Sequence, residues 1–351
     1  MLRFLLAGLM ATALVAAAGL PTTADDKKVE KKDAPKKDAP KKKERIAVAD
    51  PAKVKDDADF AVQGEYEGTL TTPRKPVKVG AQVVVKGDGE FMVKVFRGGL
   101  PGAGASGAAT VATAKRGADG TVAITGKDLS GSVSAGKLTL AGGAAFDSTL
   151  TRVERKSPTL GAKPPSGAVV LFGAPGDESN WAGGKITELS DGKYLGVGSK
   201  TKQKFGAFKV HVEFRTPWMP NSSGQGRGNS GFYLQDRYEL QVLDSFGLNG
   251  ENNEAGGFYT LHKPSVNMCF PPLSWQTYDI DFTPAAFDAD GKKTANARAT
   301  VIHNGVKVQD NVELKKETGG GTAEKPEPGP FQIQNHGDPL VFNNIWVVEV
   351  K

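Results

Sequence analysis

The stretch Gly228–Gly247, GNSGFYLQDRYELQVLDSFG, carries a side-chain alternation that changes phase before it ends. Phe232, Leu234, Tyr238, Leu240 and Val242 fall on even positions, and Tyr233, Gln235, Arg237, Glu239 and Gln241 on odd ones. A period of two belongs to a β-strand with one apolar and one polar face. Val242 and Leu243 then stand side by side, and Asp244 arrives on the even parity. A β-bulge there would rotate Asp244 onto the face of Glu239 and Gln241, so that two carboxyls line one groove. Alternatively the strand ends at Leu243, and Asp244 begins a turn with Ser245.

The same short alternations, separated by Gly, Asn, Asp and Pro, recur along the chain, and nothing long repeats at helical spacing. The chain therefore reads as all-β, in two parts. Residues 58–155 are expected to form a small β-sandwich or barrel, with a hairpin turning at Gly87-Asp88-Gly89 and a glycine-rich loop over 97–120. Residues 156–166, with Pro158, Pro164 and Pro165, form a joint crossed by few contacts. Residues 167–351 hold enough antiparallel strand candidates for a two-sheet jelly roll, and Asn304-Gly305 is a strong two-residue hairpin signal.

Ahead of these lies a different kind of sequence. One positive charge, an apolar run from Phe4 to Leu20 and the small residues at 22–24 read as a signal peptide, residues 1–24, and predict export to the periplasm or beyond. Residues 25–57 begin with a Lys- and Pro-rich segment with little to bury, expected to be a disordered linker. Contact of this basic arm with anionic envelope surfaces is the functional alternative to a solvated spacer. Residues 25–45 hold ten basic and six acidic side chains, a net of +4 out of +6 for the whole chain. With Arg3 gone, only +1 remains beyond residue 45, which gives no basic surface for nucleic acid. The single cysteine, Cys269, excludes an intrachain disulfide. The four histidines show no metal-ligand spacing, so no metal or other cofactor is expected.

Four blocks carry a resemblance: the opening stretch, PSVNMCFPPLSWQTYDIDFTP, ATVIHNGVKVQDNVEL and QIQNHGDPLVFNNIWV. Together they resemble the 3-keto-disaccharide hydrolase domain family over about Gly167–Lys351. The resemblance implies a concanavalin A-like jelly roll, akin to laminarinase-type glycosidases whose catalytic strand reads Glu-x-Asp-x-x-Glu. On that pattern fall Glu239, Gln241 and Asp244. Gln241 cannot ionise and Asp244 is one methylene short, both departures from a retaining glycosidase.

A 3-keto sugar needs less machinery. The ketone acidifies the C2 proton, and its removal expels the C1 substituent by elimination, with water adding afterwards. That chemistry requires a base, an acid and an oxyanion partner, not a nucleophile. Glu239 or Asp244 is the candidate base; Arg237 or His336 is the candidate oxyanion partner or acid. Asn229, Tyr233, Gln235, Arg237, Gln241, His211 and Trp275 are candidate substrate contacts, the partner being an oligosaccharide or glycoside. Asp279 and Asp281 read as solvated acids, and His303 as structural. Two alternatives stay open: a non-catalytic carbohydrate-binding module, with Trp275, Trp218 and Tyr233 stacking on sugars, and an ordinary laminarinase-like β-glucanase.

Overall fold

The computed structural model describes residues 44–70, 75–141 and 148–350. The expected signal peptide and most of the expected linker lie outside the described residues. The linker's last part is not a spacer, however, because Arg45 pairs with Asp338 and the Val48 backbone bridges to Trp218. Asp50 caps a 3-10 turn, Pro51–Val54, and Asp57 caps a short helix, Ala58–Val62, by accepting from the Asp59 and Phe60 amides. Val54 is buried, and Val48 and Phe60 pack against the core of the first β unit; those apolar side chains fix the segment.

Eight antiparallel strands follow in chain order, from Gly64–Leu70 to Ser148–Val153, and the last pairs with the first to close a barrel. Alternation points Val79, Ala81, Val83 and Val85 inward, with Phe91, Val93 and Val95 across from them. The hairpin between Val77–Gly87 and Glu90–Arg97 turns where expected, with Gly87, Asp88 and Gly89 all at positive φ. The glycine-rich stretch is not all loop. Ser106–Arg116 is a strand, because Ala112 and Ala114 alternate inward and are small enough for the barrel wall.

The second unit is a sandwich. Its smaller sheet has five strands, in the order Trp181–Ala182, Ser199–Thr201, Gln332–Ile333, Ser230–Leu234, Tyr238–Val242. The larger has eight, with Ala207–Arg215 at its centre between Val341–Val350 and Trp275–Thr283. The even residues of these strands meet in one core: Phe232, Leu234, Tyr238 and Leu240 from one sheet, Phe208, Val210, Val212, Tyr278, Ile280 and Phe282 from the other. The Tyr278 hydroxyl donates across it to the Gln241 carbonyl at 2.7 Å. Asn304-Gly305 makes the expected tight turn, both residues at positive φ.

Barrel and sandwich share more than the joint was expected to allow. Trp218, a sandwich residue, is fully buried in the barrel's core cluster. Its Nε1 donates to Asp57 at 2.8 Å, its ring meets Phe60 edge-on at 5.2 Å, and its backbone pairs with Val48. Val84 of the barrel packs with Phe246, Ala255 and Cys269 of the sandwich. The joint is held to the larger sheet as well: Ser157 and Thr159 bond Thr277, Thr159 bonds Asp279, and the Gly161 amide donates to Glu213. The segment is not extended throughout: it turns at 158–161 and again at 166–167, closed by the Leu160, Ala162 and Ala168 amides donating to the Ser157, Thr159 and Pro165 carbonyls.

Trp218→Ala tests this junction. It should lower stability by about 3 kcal/mol, the low end for aromatic truncation because Phe60 can settle into the space. Chemical denaturation should still give one transition for probes in either unit. Two separate transitions would mean that the units unfold independently.

Candidate active site

The opening stretch is a hairpin, not one strand. Ser230–Leu234 and Tyr238–Val242 pair antiparallel with Tyr233 opposite Glu239 and Gly231 opposite Gln241. Gln235 and Asp236 turn the chain at φ 55 and 60, the left-handed backbone that tight hairpins need. Because the intervening residues keep the parity, the alternation runs through the turn unbroken. The odd residues of both strands therefore share the face of the smaller sheet that points away from the sandwich core.

Glu239 lies on that face, 3% exposed. Its Oε2 accepts from the Tyr233 hydroxyl at 2.9 Å, and that hydroxyl accepts from Gln334 Nε2 at 3.2 Å. Gln241, in the amide orientation that satisfies its neighbours, donates to Glu239 Oε1 at 3.1 Å and to the Ser230 carbonyl at 3.1 Å. The carboxyl lies over Gly231: a Cβ there would stand 2.3 Å from Glu239 Oε1. Only glycine leaves that space. The Glu239 amide donates to Thr318 Oγ1, and the Gln241 amide to the Gly257 carbonyl, so two loops close over the strand. Asn229 and Gln225 continue the row of amides, 3.2 and 3.1 Å from the Gln241 side-chain amide.

These partners are all uncharged. Burial pushes the Glu239 carboxyl up to about 7, and the Tyr233 hydrogen bond opposes it only in part. Such a group is divided between acid and base near neutral pH, suited to taking or giving a proton. Burial and the neighbouring Glu239 charge push the Tyr233 phenol far up, so it acts as a donor. His336 sits in the 335–337 loop at the rim, exposed and without a hydrogen bond among the described residues. Both ends of that loop are tied to the hairpin: the Gln334 amide donates to the Gly231 carbonyl, and Asp338 accepts from the Asn229 amide. Among the described residues no group of three or more His, Cys, Asp or Glu side chains gathers closely enough to hold a metal ion.

A family model described as the 3-keto-alpha-glucoside-1,2-lyase-like domain matches residues 168–348. The chain belongs to that family. Two solved structures of candidate glycosyl hydrolases from Parabacteroides distasonis are similar to it. One is 35% identical over 53% of this chain and 85% of that one, with a TM-score of 0.47; the other is 16% identical over 53% and 94%, with a TM-score of 0.37. A search of curated proteins finds no match. Membership in the 3-keto-alpha-glucoside-1,2-lyase-like family supports a glycoside hydrolase-like role on carbohydrate. The barrel lies outside the matched residues.

Within the lyase-like domain several expected site residues are elsewhere. Asp244 does not join Glu239. The strand ends at Val242, no bulge forms, and Asp244 starts a turn by accepting from the Phe246 amide at 3.2 Å. Its carboxylate, 1% exposed, pairs with Arg227 Nε at 2.6 Å in the junction with the barrel, where Arg227 also reaches the Val85 carbonyl and Gln63. Burial raises the Asp244 pKa, and Arg227 counteracts it. Arg237 is buried beneath the 318–329 loop, donating to Gln235 and to the Glu327 carbonyl, and Gln235 braces the Phe205 and Gly206 carbonyls. Both brace the turn; neither side chain bonds Glu239.

His211 and Trp275 belong to the outer face of the larger sheet, across the sandwich from Glu239. His211 is fully buried between Asp279 at 2.6 Å and Glu213 at 3.3 Å, and stacks on Trp346. Burial disfavours its charge, but the two carboxylates outweigh burial and raise its pKa. Asp279 is thus a partner of His211 and Thr159, not a solvated acid, while Asp281 is exposed and pairs with Lys209. His303 is buried against Gln276, as a structural residue would be. The sequence reading missed Gly231, Gln334 and Thr318. Gln334, two residues from His336, and Gly231, in the opening stretch, lie in blocks already singled out; nothing local marked Thr318.

Proposed function

We propose that this protein cleaves the glycosidic bond of a 3-keto glycoside by elimination, with Glu239 as the base that removes the C2 proton. One observation carries the reading: Glu239 is a buried carboxyl whose partners among the described residues are all uncharged. A retaining glycosidase needs two carboxyl groups about 5–5.5 Å apart, and Asp244, the only sequence candidate for the second, is paired with Arg227 instead. Elimination needs one proton acceptor. Glu239 takes the C2 proton, the electron pair forms the C1–C2 double bond as the C1–O bond breaks, and the leaving oxygen is protonated; water then adds across that double bond, its oxygen to C1 and a proton to C2, which gives the 3-keto sugar. His336 is the proposed acid. Tyr233 and Gln241 hold the carboxyl, and the amides of Gln334 and Asn229 suit hydroxyl recognition. The segment before residue 25 supports export as part of this proposal.

Hydrolysis in deuterated water tests it. Deuterium should appear at C2 of the released 3-keto sugar beyond the product's own exchange, measured as a control, and unoxidised disaccharides should be inert. Rapid cleavage of an unoxidised β-glucan with no label at C2 would restore the ordinary glycosidase.

A further inference from the structure

The displaced Trp275 marks a second site. The loop before it faces the last barrel strand across a cavity of about 380 Å³, within the span of about 300–1,000 Å³ usual for small-molecule sites. Barrel-side residues Phe60, Arg152 and Lys156 form one wall; Leu273, Ser274 and Trp275 form the other. Neither wall belongs to the Glu239 face.

The indole is held in place. Arg215 lies 4.8 Å from the Trp275 ring centroid and is itself fixed by Asp191, while Tyr194 meets the indole at 5.0 Å and 63°. Arg215 is not part of the cavity wall, whereas Trp275 is. The charges are lopsided too. Arg155 also borders the cavity, but a two-bond pair with Glu65 at 2.6 and 2.7 Å neutralises it. Among the described residues Arg152 donates to the Ala61 and Gln63 carbonyls, its Nε is buried without a partner, and it forms no ion pair. Lys156 is exposed and unpaired among the described residues. Against these two cations the cavity presents one acid, Glu154.

We infer that this cleft is an accessory binding site for an acidic saccharide, one sugar ring stacking on Trp275 and its carboxylate facing Lys156 and Arg152. A flat apolar ring and nearby unneutralised cations match a sugar that carries a carboxylate, since the ring buries against the indole and the charge finds hydrogen-bonding partners. Because Arg152 and Lys156 precede the lyase-like region, the site is a property of this two-unit chain. It does not depend on the reaction assigned to Glu239.

Calorimetry on the full chain with oligoglucuronate, and with an uncharged cello-oligosaccharide of equal length, tests the inference. Oligoglucuronate should bind, the uncharged chain should bind at least about tenfold more weakly, and added salt should narrow the gap. Lys156→Gln, an exposed substitution that leaves the fold intact, should lower the acidic affinity about threefold to tenfold without changing turnover. Trp275→Ala should weaken both ligands. Absence of oligoglucuronate binding, equal affinity for the two ligands, or unchanged affinity in Lys156→Gln would overturn it.

Discussion

Glu239→Gln should lower turnover of a 3-keto glycoside by on the order of 10²–10⁴, the usual contribution of a positioned proton acceptor. The substitution keeps size and most hydrogen bonding, so KM should move little, and the loss should fall on kcat. Stability should move the other way. The folded carboxyl titrates at about 7 against an ordinary value of 4.5, so between those values the folded state holds more protons than the unfolded chain. Stability is then fully present below about pH 4.5 and declines as pH rises through 7, by on the order of 3 kcal/mol. Glu239→Gln abolishes that decline. Denaturation midpoints of the two proteins should change differently with pH, the variant gaining on the wild type from pH 5 to pH 8. A variant that keeps near-native turnover would remove Glu239 from the mechanism.

Asp244→Asn should have the opposite signature. Its partner Arg227 is buried with it, and removing one member of a buried pair leaves an uncompensated charge that costs about 3–5 kcal/mol. Folded molecules that remain should turn over substrate at close to the wild-type rate. The check is a urea midpoint alongside kcat normalised to folded protein. Wild-type stability combined with a large fall in kcat would put Asp244 back beside the substrate.

The two variants also mark what is legible in the sequence. Strict parity identifies the polar face, and it is enough by itself to group Glu239 with Tyr233 and Gln241. The hairpin inside the stretch is not visible, because Gln235-Asp236 is not the Asn-Gly or Asp-Gly pair that announces such a turn. Asp244 is misplaced by parity for a physical reason: parity counts positions along a strand and says nothing of where the strand stops. What stops it is the Asp244 side chain bonding the Phe246 amide two residues on. The same limit explains His211 and Trp275. Alternation gives the face within a strand, whereas the assignment of strands to sheets depends on pairings far apart in sequence. The all-β class and the turns at 87–89 and 304–305 are local features, and these agree with the fold. The barrel's hold on Trp218 is a long-range contact with no local sign.

The Tyr238–Val242 strand is the last of its sheet, which puts the proposed base on an open margin. A bare margin of this kind offers unpaired amides and carbonyls to any passing extended chain, and is where self-association starts. Here Gly257, Gly256 and Tyr259 take up those groups, bonding the Gln241 amide, the Gln241 carbonyl and the Glu239 carbonyl in turn. The first unit removes the hazard differently, by joining its first strand to its last. The loop that frames Glu239 is thus also a guard against aggregation, and changes made there to widen substrate access would trade solubility for reach.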